Sequence, residues 1–180
     1  MAPSVRPTGV ERSFSPDEIV ATKTDLQGRI TYANDVFLRV SAYTEAEMLG
    51  QPHNMIRHPD MPRCIFKLLW DTLEARTEIF AYVMNLAGDG AHYWVLAHVT
   101  PSYGPAGNVV GYHSSRRVTS PVALNQIRPL YASLRATENG HARPADALAA
   151  SSGQLDTVLA ERGMSYEQFV WSLTKETVHA

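Results

Sequence analysis

The sequence predicts an α+β fold, a five-stranded antiparallel sheet with short helices on one face and more helices at the C-terminus. Three observations carry this. Two short β-prone runs flank a turn at residues 25–28. Helical spacing follows out to about residue 76. Gly88-Asp89-Gly90 then joins the first two of three longer strands.

Each element has its own signal. Residues 1–17, rich in Pro, Ser and Thr, read as an irregular cap or arm. Residues 19–24 and 29–33 form the first hairpin, turning around Asp25 and Gly28. Val36, Phe37, Val40 and Tyr43 recur at helical spacing, with Asn34 or Asp35 placed to cap the first turn. Thr44 with Glu47 three residues on is a capping-box signature, and Gly50 ends that short helix. Residues 53–62 hold two prolines and predict a loop. Pro62 suits the first position of the next helix, whose apolar stripe is Ile65, Phe66, Leu69, Trp70 and Leu73. Residues 79–86, 92–100 and 109–118 read as strands, with Pro101 ending the middle one. Beyond Pro121 an amphipathic helix at 123–137 is broken at Pro129. A second helix at 151–162 ends at Gly163, and Ser165 caps a third with Phe169, Val170 and Leu173 inward. The expected organisation is an arm at 1–17, a core domain at 18–120 and a helical extension at 121–180.

Composition removes several function classes. The 180 residues suit one domain, and 44% hydrophobic content is enough to build a core. The net charge of -2, with both signs scattered, argues against a nucleic-acid partner. Cys64 is the sole cysteine, so an internal disulfide and a Cys-rich zinc site are excluded and a reducing compartment is expected. No apolar run approaches the roughly 20 residues that span a bilayer, and the N-terminus lacks the apolar segment of a secretory signal. A cytoplasmic location follows as an expectation, with any signal handed to a second chain. There is no phosphate-binding glycine loop, nucleophile elbow, zinc signature or paired carboxylate pattern, so a non-enzymatic role is expected.

DLQGRITYAN at 25–34 and YTEAEMLGQPHNMIRHPDMPR at 43–63 resemble the PAS domain of bacterial aerotaxis receptors. GDGAHYWV and GYHSSRR extend the likeness through the last strand. It covers about residues 18–118 and continues more weakly through IRPLYASL. The resemblance implies a PAS fold with FAD between helices and curved sheet. It also implies redox or oxygen sensing reported to a signalling protein in trans, and no metal site. PAS domains commonly pair through the sheet face or N-terminal cap. A homodimer is therefore expected, and Phe80 and Tyr82 lie on the strand face opposite Asn85.

A flavin needs an apolar slot, partners for its pyrimidine edge, and positive charge or exposed N–H groups for its phosphates. Asn85 ends a strand whose alternate residues are Ile79, Ala81 and Val83. It is a ring ligand, whose amide the flavin would satisfy at both ends, or a hairpin cap. Arg57, His58 and Asp60 share a loop between helices. Arg57 would pair with the pyrophosphate, and Asp60 would orient Arg57 or His58 or bond the ribose. Otherwise the three brace the loop, with Asp60 capping the next helix. His53, just before them, is a further candidate. Phe66 and Trp70 are core by periodicity and pocket wall by resemblance. Asn34 is an N-cap or a ligand. Arg116 stands where light-sensing flavin PAS domains carry a glutamine near the reactive ring edge. Inward, its charge would stabilise the reduced ring; outward, it is a surface arginine. Glu78-Ile79 replaces a tryptophan of the pattern and His113 an apolar residue. Cys64, in MPRCIF, lies outside the Asn-Cys-Arg-Phe context of adduct photochemistry. Haem held by His58 and a cofactor-free docking module are the competing possibilities.

Overall fold

The chain's computed structural model describes residues 5–175. Five strands form one antiparallel sheet in the order β2-β1-β5-β4-β3: β1 (Val20–Thr24), β2 (Ile30–Ala33), β3 (Ile79–Leu86), β4 (His92–Tyr103) and β5 (Val109–Val118). Between β2 and β3 lie α1 (Asp35–Ser41), α2 (Glu45–Met48), a 3-10 turn (His53–Ile56) and α3 (Arg63–Glu74). After β5 come α4 (Pro121–Asn139), α5 (Pro144–Glu161) and α6 (Tyr166–Lys175).

Local chemistry explains the joints. Asp25 Oδ1 accepts from the Gln27 and Arg29 amides at 2.9 and 2.8 Å, and Gly28 takes φ 73°, which closes the first hairpin. The Asn34 side chain caps α1 by accepting from Phe37 N, and Thr44 with Glu47 forms the capping box of α2. The β3–β4 ladder runs from Leu86–His92 to Ile79–Val99.

Four elements depart from expectation. β4 continues through Pro101 to Tyr103, because residue 101 lies beyond the last β3 pair, Ile79–Val99, and a missing N–H costs nothing on an uncovered edge. α4 runs unbroken across Pro129. That proline is exposed, so the carbonyl it frees one turn earlier faces water. α5 starts at Pro144 rather than at residue 151, because the alanine-rich first half is strongly helix-forming without any apolar stripe. Pro62 is the N-cap residue of α3 rather than its first helical residue.

The two sheet faces differ. Val83 and Asn85 of β3 face α3, while Phe80 and Tyr82 face the opposite way. That second face is covered by the chain's own helices. The Tyr131 hydroxyl of α4 donates to the Tyr82 carbonyl at 2.7 Å, Phe80 lies 4.7 Å from Trp171 of α6, and Tyr82 is fully buried. Phe80 and Tyr82 are therefore packed against helices of the same chain. The arm runs along the β3–β4 turn, with Thr8 N donating to Gly90 O and Arg12 N to His92 O. Residues 1–4 of the expected arm and 176–180 of the extension lie outside the described residues. Among the described residues no helix is long and apolar enough to cross a membrane.

Candidate functional site

Between α3 and the inner sheet face lies a cleft with about 120 Å³ of space open to a water-sized sphere. α3 supplies Phe66, Leu69, Trp70 and Leu73, at the i, i+3, i+4, i+7 positions of one face. The sheet supplies inward residues at period two: Val83 and Asn85, Ala97 and Val99, then Tyr112, Ser114 and Arg116. The 3-10 turn adds His53, Asn54 and Ile56, and β1 adds Thr22 and Thr24. Among the described residues no aspartate or glutamate lines the cleft.

The polar groups on its floor are incompletely paired. Arg116 is 4% exposed. Its Nη2 donates to Thr22 Oγ1 at 3.0 Å and to His53 Nε2 at 2.7 Å, while Nη1 has no hydrogen-bond partner. Asn85 Nδ2 and Ser114 Oγ, buried in the same lining, also have none, nor does Tyr93 Oη on the residue paired with Asn85 across the β3–β4 ladder. Unpaired buried polar atoms each cost roughly 1–3 kcal/mol, so the three in this one lining, Arg116 Nη1, Asn85 Nδ2 and Ser114 Oγ, call for a polar ligand or ordered water in the cleft. Burial, and then Arg116 beside it, push the His53 imidazole down to about 3, so His53 is neutral and accepts from Arg116. Burial pushes Arg116 down to about 10, still a cation at neutral pH. A buried cation without a carboxylate calls for an electron-rich or anionic group in the cleft.

Backbone geometry sets the rim. Arg57 ends the 3-10 turn and forms an isolated antiparallel bridge with Asn85, joining the loop to β3. Its guanidinium stacks 4.1 Å from the Phe66 ring centroid. Trp70 is 40% exposed at the mouth and meets Tyr112 edge-on at 5.4 Å. A Cβ on Gly28 would sit 3.5 Å from Trp70, so the hairpin turn packs against that ring.

Of the sequence-derived candidates, His53, Arg57, Phe66, Trp70, Asn85 and Arg116 converge on this cleft. Three do not. Asn34 is used up as a brace: Oδ1 accepts from Ala21 N and Phe37 N, and Nδ2 donates to Ile19 O. His58 is buried outside the cleft, accepting from Asp60 N at 3.1 Å and lying edge-on to His92. The Asp60 side chain is 76% exposed, 3.7 Å from His58, and does not cap α3. Thr22, Ser114 and Tyr112 were not anticipated. The signal was there for two of them: if Arg116 points inward, so do residues 114 and 112, and Thr22 is paired with Ser114 across the β1–β5 ladder.

Residues 20–113 match the family model described as the PAS fold. Over 123 residues the chain is 42% identical to the aerotaxis receptor of Escherichia coli K12, covering 68% of this chain and 24% of the receptor. Over 99 residues it is 32% identical to the nitrogen fixation regulatory protein of Klebsiella pneumoniae, covering 55% of this chain and 20% of that protein. The matches thus span about a quarter or less of those relatives. A light-oxygen-voltage domain solved in work on a flavin analogue superposes with a TM-score of 0.55 at 20% identity, covering 62% of this chain and 83% of that one. That likeness shows a shared fold.

Proposed function

The chain belongs to the PAS-fold family, and from that premise we propose that its cleft binds the isoalloxazine ring of FAD and that the chain is a redox or oxygen sensor reporting to a signalling protein. One observation carries this. Arg116, buried without a carboxylate, presents an unpaired Nη1 beside the unpaired Asn85 Nδ2 and Ser114 Oγ in an otherwise apolar cleft. A flat heteroaromatic ring with carbonyl and imino groups along one edge would satisfy these groups, and Val83, Val99 and Leu73 would supply apolar walls for it. The similarity to a receptor and to a regulatory protein supports a signalling role rather than catalysis.

When bound, a flavin supplies a redox change that alters charge and hydrogen bonding at one ring edge. This chain's residues would respond at that edge. Arg116 supplies fixed positive charge and favours the more negative state. Neutral His53 and Thr22 hold Nη2, so Nη1 is the donor left for the ring. Asn85, anchored by the Arg57 bridge, offers both a donor and an acceptor. Arg57, at the rim, is placed for a phosphate tail.

In this proposal residues 18–120 are the sensor and 121–180 relay its state. The setting is the reducing cytoplasm, with Cys64 as a thiol, and the chain works as a homodimer with its output partner in trans. Haem is disfavoured as the occupant. His58 lies outside the cleft, and the Nε2 of His53 is engaged by Arg116 and Thr22. Titration of cofactor-free protein with FAD, FMN and hemin tests the assignment. Saturable FAD binding at micromolar concentration or below is expected. Tight hemin binding with no flavin binding replaces it, and no binding of any of the three favours the docking module.

A further inference from the structure

Glu138 is 3% exposed, near the end of α4 and outside the cleft lining. Its Oε1 accepts from the backbone amides of Arg63 at 2.6 Å and Cys64 at 3.3 Å, the first two residues of α3. The same oxygen accepts from Ser151 Oγ of α5 at 3.0 Å, and Oε2 accepts from Arg135 Nη1 at 2.9 Å. Pro62, the N-cap residue of α3, makes no side-chain cap. The helix that walls the cleft is thus capped from another helix, by a carboxylate at the positive end of its dipole. That carboxylate also acts on Arg57 at the cleft rim, favouring its charged form against the effect of burial. One side chain therefore ties α3, α4 and α5 together next to the cleft.

We propose that Glu138 is a coupling latch between the cleft and the C-terminal helices: occupancy of the cleft and docking of α4 and α5 on α3 strengthen each other through this carboxylate. The inference rests on the flavin assignment for its ligand. Phe66, Leu69, Trp70 and Leu73 lie on the helix whose first turn Glu138 fixes, so loosening that turn shifts the cleft wall. Coupling of this kind is reciprocal. A ligand that orders the α3 wall tightens α5, and an α5 released at Ser151 no longer reports the ligand.

Hydrogen–deuterium exchange on the full chain, with and without FAD, tests this alongside FAD affinity measured by fluorescence quenching. Glu138→Gln keeps the shape and one acceptor oxygen but removes the charge. In the ligand-free protein it is expected to speed exchange about fivefold or more at both the first turn of α3 and the segment around Ser151. FAD affinity should weaken by a similar factor. The slowing that FAD produces at α5 in the wild type should disappear. Ser151→Ala, which leaves the carboxylate on α3, should keep most of the FAD affinity and still lose the FAD-linked slowing at α5. Unchanged exchange at α3 in Glu138→Gln overturns the latch. So does faster exchange throughout the chain with the FAD-linked slowing intact, since a merely structural cap gives that result. If the wild type binds no FAD, the flavin assignment fails by itself. The latch is then decided by ligand-free exchange: local loss at both ends in Glu138→Gln supports it, and loss at one end or neither overturns it. Should Glu138→Gln not fold, FAD-linked slowing at α5 that persists in Ser151→Ala refutes the latch. If the wild type also binds no FAD, ligand-free Ser151→Ala decides: faster exchange at α5 with α3 unchanged supports the latch, and no change at α5 refutes it.

Discussion

Replacing Arg116 with methionine separates the cost of a buried cation from its use. The substitution removes two hydrogen bonds, to Thr22 Oγ1 at 3.0 Å and His53 Nε2 at 2.7 Å. Bonds from a charged donor contribute roughly 1.5–3 kcal/mol each. Against this stands the desolvation of a cation that is 4% exposed and has no carboxylate beside it, several kcal/mol in proteins. The two nearly cancel, so stability of the ligand-free protein should change by no more than about 2 kcal/mol in either direction. Flavin binding has no such compensation. Losing one charge-assisted hydrogen bond of about 1.5–3 kcal/mol weakens affinity by roughly 10- to 150-fold. Urea unfolding of the ligand-free variant and FAD titration by fluorescence quenching measure the two quantities. A variant destabilised by more than about 3 kcal/mol with wild-type FAD affinity would show that Arg116 is held for the fold, and the argument would fail.

Three further outcomes are expected. Asn85→Ala removes an amide whose Nδ2 already lacks a partner, so stability should shift by less than about 1 kcal/mol while flavin retention falls at least about tenfold; wild-type flavin content would misplace the pocket. His53 is held at about 3 when folded, against an ordinary value near 6.5, so below that value only the unfolded chain takes up the proton. Stability should be full above about pH 6.5 and fall by up to about 1.4 kcal/mol per pH unit toward pH 3, with buried His58 and half-buried His113 adding in the same direction; a His53→Gln variant with an undiminished slope refutes the assignment. Tyr131→Phe deletes the 2.7 Å bond to the Tyr82 carbonyl and should cost about 1–2 kcal/mol in urea unfolding; no loss would mean that α4 is not tied to the sheet there.

Local signals with a physical cause translated directly into structure. Thr44 and Glu47 form the capping box that their spacing implies. Asn85 was legible as a cleft candidate because it is an amide among apolar strand neighbours, and Arg116 through the resemblance to light-sensing flavin domains; both line the cleft. Thr22 was not, because a small hydroxyl residue is ordinary in a strand and only the register reveals that it is paired with Ser114. The misjudged helix boundaries have the opposite origin. Pro129 is a breaker in isolation, yet its exposed position leaves the freed carbonyl to solvent. The first half of α5 is alanine-rich and has no periodic apolar signal to read. Asn34, His58 and Asp60 carried the family motif, but the motif does not say which polar residues build the loop and which face the cleft; Asn34 spends every side-chain polar atom on backbone. Least visible was Glu138, whose role depends on three helices meeting 74 and 75 residues apart in sequence.

The absorption spectrum of the protein as purified from cells tests the flavin assignment most directly. Paired visible bands of a bound oxidised flavin, bleached by dithionite and restored by air, with FAD released on denaturation, are the predicted result. A Soret band, or a colourless protein that takes up no flavin when FAD is added, would contradict it.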